Sequence, residues 1–322
     1  MAKIDSKKLK SMLGSYGIIF VLILLVAVFA ALSPRFLLPD NIFNILRQVS
    51  IVGIISVGMT FVMLTGGIDL SCGSVVGASC VGAALLMTKA SMNPVLACLV
   101  MVCFGTILGL ANAFFISQLK VPPFIATLGM MTSVRGIAYI ITGGLPVFGF
   151  NRSFTVLGQG YFGIVPIPVI VMLIVFAFGI VFLAKTRLGR HIYGVGGNEE
   201  ASRLSGVHVK KIKYLVYGLS GFMSALAGVV LLARVNSGQP NAGAGYEMDV
   251  ITGVVLGGVS MSGGQGRLLM VVVGVMIMGI LTNGMTMLTI NEYVQQFVKG
   301  MVLIGAVALD SLIKNQKSKQ IV

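Results

Sequence analysis

The amino-acid sequence predicts an all-α fold: a polytopic membrane protein of about ten transmembrane helices, forming a single domain over residues 1–322. Three observations carry this expectation. Hydrophobic residues make up 57% of the chain and charged residues 10%, a mean hydropathy of +1.00 that leaves too little polar surface for a water-soluble domain. Apolar stretches of spanning length recur from end to end. A segment crossing about 30 Å of hydrocarbon must be a helix of roughly 20 residues, because lipid offers backbone amides no partners. Finally, the charges, +14 net, collect outside those stretches.

In chain order the spans are predicted near 17 to 33, 43 to 65, 72 to 88, 94 to 118, 124 to 141 and 165 to 184, then 214 to 234, 249 to 263, 268 to 289 and 294 to 312. The first follows Lys3, Lys7, Lys8 and Lys10 and carries small residues at Ala27, Ala30 and Ala31, as a secretory signal would. Its apolar run is longer than the usual signal core and further spans follow, so it is read as an uncleaved helix. The eighth is short and rich in glycine. Residues 1–16, the hydrophilic loop 185–213 and the tail 313–322 hold most of the basic residues and are expected on the cytoplasmic side by the positive-inside rule. Six spans and then four keep both termini cytoplasmic. A nucleic-acid footprint would instead be a basic stripe on a soluble domain, interleaved with aromatics.

Cys72, Cys80, Cys98 and Cys103 all fall in predicted spans without CxxC or Cys/His spacing. They read as small buried hydrophobes and imply neither disulfide nor metal. DLSCGSVVG at 69 to 77 and DVITGVVLG at 249 to 257 share an Asp followed by Gly four and eight residues on, each opening a glycine-rich apolar helix. The two copies lie five spans apart, so they predict a five-helix inverted repeat of the kind found where a path runs between two halves.

The loop KTRLGRHIYGVGGNEEASRLSGVHVKKIK at 185 to 213 holds a self-sufficient short helix. Asn198 suits the N-cap, Glu199 and Glu200 the first turn, Arg203 the turn after it, and Gly206 a left-handed C-terminal close. Ala201 and Leu204 are small apolar contacts that suit docking into a groove on a soluble partner. A solvated, well-capped connector fits the same residues.

Several segments together resemble a known family. TRLGR at 186 to 190 and GGNEEASRLSG at 196 to 206 resemble the coupling-helix segment of ribose-type ABC importer permeases. LTGGIDLSCGS at 64 to 74, PPFIATLG at 122 to 129, YEMDVITGVVLGG at 246 to 258 and SGGQGR at 262 to 267 follow in the family's order, with Cys72 where a small aliphatic is more usual. The resemblance implies the permease subunit of an importer that moves a monosaccharide, ribose or a similar pentose or hexose, from periplasm to cytoplasm by alternating access. It implies a cytoplasmic ATP-binding cassette subunit, a periplasmic or lipid-anchored sugar-binding protein and a second copy of this chain as partners, in a bacterial inner membrane. Asn198, Glu199, Glu200, Ala201, Arg203, Leu204 and Gly206 would then couple to the ATPase. Arg203 would pair either with an acidic group there or within its own loop, the first being favoured.

The chain has no GxxxxGK[ST] loop, so it is expected to bind no cofactor itself, with ATP and Mg held by the partner. SGGQ at 262 to 265 imitates an ATPase signature but sits in a turn between two apolar stretches. Polar groups at bilayer depth are the remaining candidates, since burying them is costly. Thr65, Asp69, Ser71, Asn112, Thr127 and Asn283 are candidates for a translocation path or a helix break. For Asp69, bracing the break at Gly66 and Gly67 stands slightly ahead of lining a path. Glu247 and Asp249 fall at the predicted outer end, where contact with a binding protein competes with simple helix N-terminal stabilisation. Arg135 fits a buried hydrogen-bonding role.

Two other classes fit less well. An ion-coupled secondary sugar transporter would use Asp69 as its carrier. A membrane enzyme lacks a constellation, because His191 and His208 both lie in the loop away from Asp69, leaving no catalytic residues to name.

Overall fold

Proline opens four of the long helices. It stands at the first or second position of α2 (Pro39–Leu64), α4 (Pro94–Ser117), α5 (Pro123–Thr142) and α7 (Ile167–Lys185), where its missing N–H costs no helical bond and its fixed φ suits the first turn. The computed structural model describes residues 6–150 and 152–319. Of the expected basic termini, residues 1–5 and 320–322 lie outside the described residues.

Before α2 comes α1 (Ser6–Leu32), and α3 (Cys72–Thr88) follows it across a break at 65–71. Between α5 and α7 lie a short helix, α6 (Arg152–Gln159), and a two-residue hairpin, β1 (Tyr161–Phe162) paired antiparallel with β2 (Val165–Pro166). The hydrophilic loop folds as α8 (Arg187–Gly197) and α9 (Glu199–Leu204). Then come α10 (Val209–Val235), α11 (Tyr246–Leu256), α12 (Leu268–Met287) and α13 (Glu292–Lys319).

Six helices, α2, α4, α5, α7, α10 and α12, are long and apolar enough to cross a membrane, and Gly17–Leu32 and Cys72–Thr88 are shorter apolar segments. The chain is therefore an all-α, multi-pass membrane protein. The eighth predicted span differs most. It is α11, an 11-residue helix about 16 Å long, too short to cross alone. It ends at Gly257 and Gly258, the latter at φ +79°, and irregular backbone continues to 267.

Helices α2 and α10 form the centre, apolar on every face and enclosed on nearly all of them. α10 packs along α4, α2 and α3, and α2 packs on α7, α12 and α11; α5 flanks α3 and α13 flanks α11. The α4–α10 seam is set by Gly105 and Gly109 against Gly218 and Gly221. A Cβ on Gly109 would overlap the Tyr217 carbonyl, and one on Gly221 the Gly105 carbonyl, so small residues four apart on α4 and three apart on α10 let these backbones meet.

The outward faces of α4, α5 and α7 expose Ile107, Ile140 and Ile174. This corrects one expectation: Cys72 and Cys80 are buried, but Cys98 is half-buried and Cys103 exposed on the outer side of α4. One further departure concerns the proposed repeat. Asp69 precedes α3, whereas Asp249 lies inside α11.

Candidate functional site

Sequence pointed to a break after α2, and the structure gathers five of the candidate side chains there. Thr65 closes α2 by donating its hydroxyl to the Val62 carbonyl at 2.7 Å, and Gly66 turns the chain at φ +77°, a conformation that favours glycine. Asp69 follows, 1% exposed. Its Oδ1 accepts from the Ser71 backbone N–H at 3.0 Å and from the Ser71 hydroxyl at 2.5 Å, and its Oδ2 accepts from Ser220 of α10 at 2.7 Å. Asn112 of α4 donates its amide to Ser71 Oγ at 2.9 Å. Thr127 of α5 lies 3.2 Å from the Ile68 carbonyl and 2.9 Å from that of Pro123. Tyr217 of α10 reaches the same Ile68 carbonyl at 3.5 Å.

Both carboxylate oxygens are thus engaged, and three helices converge on one irregular turn. The donors to this buried carboxylate come from Ser71 within the break and from Ser220 of α10, so it ties the break to α10. Ser220 and Tyr217 were missed from sequence, because a single Ser or Tyr in an apolar helix carries no local signal of its long-range partner.

Asn283 is not part of this cluster. It exchanges amide hydrogen bonds with Asn41 of α2, 3.0 Å each way, near the opposite end of the bundle. Asp249 also lies outside this cluster, whereas Glu247 abuts the start of α3, where a Cβ on Gly73 would overlap its Oε2. Glu247 Oε1 accepts from the Gly245 N–H at 3.2 Å. Asp249 forms an ion pair with Lys299 of α13 at 2.8 Å, its side chain 12% exposed and that of the lysine 21%. Lys299 was legible, as a lone basic residue deep in a predicted span. Arg135 of α5 donates Nη1 to the carbonyls of Pro240 and Ala242 at 2.9 and 2.7 Å, tying α5 to the α10–α11 connection.

At the end of the bundle that bears residues 185–213, α9 forms as its residues dictate. Asn198 Oδ1 accepts from the Ala201 N–H at 2.9 Å, Glu199 pairs with Lys213 at 2.9 Å, and Gly206 closes the helix at φ +84°. Arg203 is engaged within its own loop in this chain. It pairs with Glu200 at 2.6 Å, because a three-residue offset places both on one helix face. Ala201 and Leu204 are exposed, Leu204 at 80%.

The preceding helix α8 was not anticipated, and it connects this surface to the bundle. Gly264 donates its N–H to the Leu64 carbonyl at 2.9 Å, and Tyr193 of α8 donates its hydroxyl to the Gly266 carbonyl at 2.9 Å. Half-burial pushes the Tyr193 phenol upward against the opposing pull of Arg267, so it stays a donor. A Cβ on Gly264 would lie 2.8 Å from Gly197 Cα, and one on Gly263 2.7 Å from Gly66 N. Glycines at 66, at the 196–197 end of α8 and at 263–264 therefore meet backbone to backbone, joining α8, the Asp69 break and the α11–α12 turn. Among the described residues, no cluster of His, Cys, Asp or Glu is placed to hold a metal ion.

Comparison with known proteins gives a consistent picture. The family described as branched-chain amino acid transport system / permease component matches residues 41–307. The chain is 45% identical to the ribose import permease protein of Bacillus subtilis, over 92% of each chain. It is 44% identical to the corresponding protein of Haemophilus influenzae, over 92% of this chain and 93% of the relative. The galactose/methyl galactoside import permease protein of Escherichia coli is 38% identical, over 97% of this chain and 98% of the relative. No solved structure matches.

Proposed function

Because this chain belongs to the family of branched-chain amino acid transport system permease components, we propose that it is the membrane permease of an ATP-binding-cassette importer for a monosaccharide. Ribose is the first candidate and a similar pentose or hexose the next. The observation that carries this is the 45% identity to a ribose import permease over 92% of both chains. Such a permease works in a bacterial inner membrane with a cytoplasmic ATPase subunit that holds ATP and Mg, a sugar-binding protein at the other face, and a second copy of itself. The chain catalyses no reaction; hydrolysis belongs to the partner.

In this reading the ten helices α1 to α5, α7 and α10 to α13 traverse or enter the bilayer with both termini cytoplasmic. The packing supports two inverted halves. α10 against α3 and α4 is mirrored by α2 against α11 and α12, and α3 against α5 by α11 against α13.

The coupling surface is α9, residues 198 to 206, with Ala201 and Leu204 offered to a groove on the ATPase and Arg203 available to exchange Glu200 for an acidic partner. Movement there reaches the bundle through α8 and the glycine junction, and Asp69 braces the break so that each half moves rigidly, as alternating access requires. Co-purification with the ATPase and binding protein tests this. Hydrolysis should rise when the binding protein carries ribose, and no change on adding loaded binding protein would count against the assignment.

A further inference from the structure

A cleft of about 720 Å³ opens between α2, α11, α12 and α13 at the end opposite α9, within the range of small-molecule sites. Its walls carry Gln48, Asp249, Thr282, Gln295 and Lys299, with Glu292 at the start of α13. Lys299 lies seven residues into α13, about 10 Å along the helix. Charges at that depth in an apolar bundle are expensive and face a protein interior or an aqueous path. Here they neutralise each other through the 2.8 Å Asp249–Lys299 pair.

Apart from the exposed Glu292, what remains for a ligand are amides and hydroxyls. The Thr282 hydroxyl, which donates to the Met278 carbonyl at 2.9 Å, keeps acceptor capacity. Gln295, whose Nε2 donates to the Ile290 carbonyl at 2.9 Å, keeps its Oε1, and Gln48 adds a further amide, a set that matches a neutral, polyhydroxylated molecule better than an ion. Adjoining the cleft and sharing Gln48, Tyr246, Asp249 and Thr282 with it is a crevice of about 20 Å³ whose other walls include Val49, Val52, Val275 and Met278, room for about one water.

We infer that this cleft is the outward-facing half-site at which each copy of the permease receives a monosaccharide, held by Gln48, Thr282 and Gln295 around the Asp249–Lys299 pair. Asp249 then meets the sugar itself and not the binding protein, and the Asp69 cluster lies outside the path. The inference rests on the importer reading above. Few hydroxyl contacts and no Trp in the chain make binding weak, which favours onward release.

The test uses the complete transporter, reconstituted with ATPase and binding proteins, and D-ribose and D-galactose as probes. Thr282→Val and Gln295→Leu each delete a hydrogen-bonding group without touching the ion pair. Each should lower sugar moved per ATP hydrolysed about three- to tenfold, as loss of one hydrogen bond predicts, and should change the ribose-to-galactose uptake ratio. Overturning results are a transport stoichiometry and uptake ratio unchanged in both variants, or an equal fall in uptake and stimulated hydrolysis by an intact assembly. Failure of the wild-type transporter to move either sugar with ATP would remove the importer reading and the cleft's role with it. Failure confined to the two variants' predictions removes the cleft alone.

Discussion

Ser220→Ala isolates the proposed bracing role of Asp69, because it removes one donor and leaves the carboxylate in place. Ser220 is fully buried, and its hydroxyl lies 2.7 Å from Asp69 Oδ2. A hydrogen bond to a charged group is worth about 1.5–3 kcal/mol, and Asp69 is 1% exposed, so water cannot easily replace the donor. At roughly 2 °C per kcal/mol for a chain of this size, the melting temperature in detergent should fall by about 3–6 °C. The pair can be resolved further with Asp69→Ala and the double variant. If Asp69 acts as a strut, the two losses are not additive, and the double-mutant cycle returns a coupling of about 1–3 kcal/mol. Differential scanning fluorimetry on the purified permease, paired with uptake by the reconstituted transporter, reads both quantities. Unchanged melting with abolished uptake would refute the bracing argument and return Asp69 to the translocation path.

Other substitutions separate fold from coupling. Arg203→Glu breaks only an exposed pair worth about 0–1 kcal/mol, so melting should hold within about 2 °C while co-purification with the ATPase is lost or hydrolysis no longer drives uptake; full binding with full uptake would reduce α9 to a connector. Gly206→Val meets no neighbour within 4 Å, so its penalty is pure backbone strain at φ +84°, about 1–2 kcal/mol, visible as lowered melting in the permease alone. Gly196→Ala would drive a Cβ into the Leu64 carbonyl and the Gly264 N–H, whereas Gly197→Ala meets nothing. The first should lose assembly or coupling and the second should behave as wild type, and equal behaviour would contradict the junction. Lys299→Met strands the Asp249 carboxylate and should cost about 3–5 kcal/mol, much of it recovered in Asp249→Asn/Lys299→Met; melting of the two variants decides.

The sequence revealed helices well where one physical rule dominated. Length and hydropathy located α2, α4, α5, α7, α10 and α12, and Asn198, Glu199 and Gly206 announced α9 through capping and handedness alone. α11 was misjudged in extent because apolar glycine-rich residues continue past Leu256, and only the turn at Gly257 and Gly258 shows that the helix has stopped. α8 was missed because its glycines, Gly189, Gly194, Gly196 and Gly197, read as loop residues. Gly196 serves a backbone contact with Leu64 and Gly264 made by tertiary packing. At the break, Asp69, Ser71, Asn112 and Thr127 were legible as costly polar groups in an apolar setting. Ser220 and Tyr217 were not, since their partner lies about 150 residues away and nothing local marks the pairing. Lys299 could have been found by the same rule that found Asp69.

ATP-driven uptake in proteoliposomes tests the central claim most directly. Vesicles holding this chain and its ATPase subunit, with ATP on the ATPase side and ribose-loaded binding protein on the other, should accumulate ribose, lose that uptake when ATP is omitted, and be indifferent to an imposed proton or sodium gradient. Uptake by this chain alone, driven by an ion gradient without ATP or the binding protein, would contradict the account.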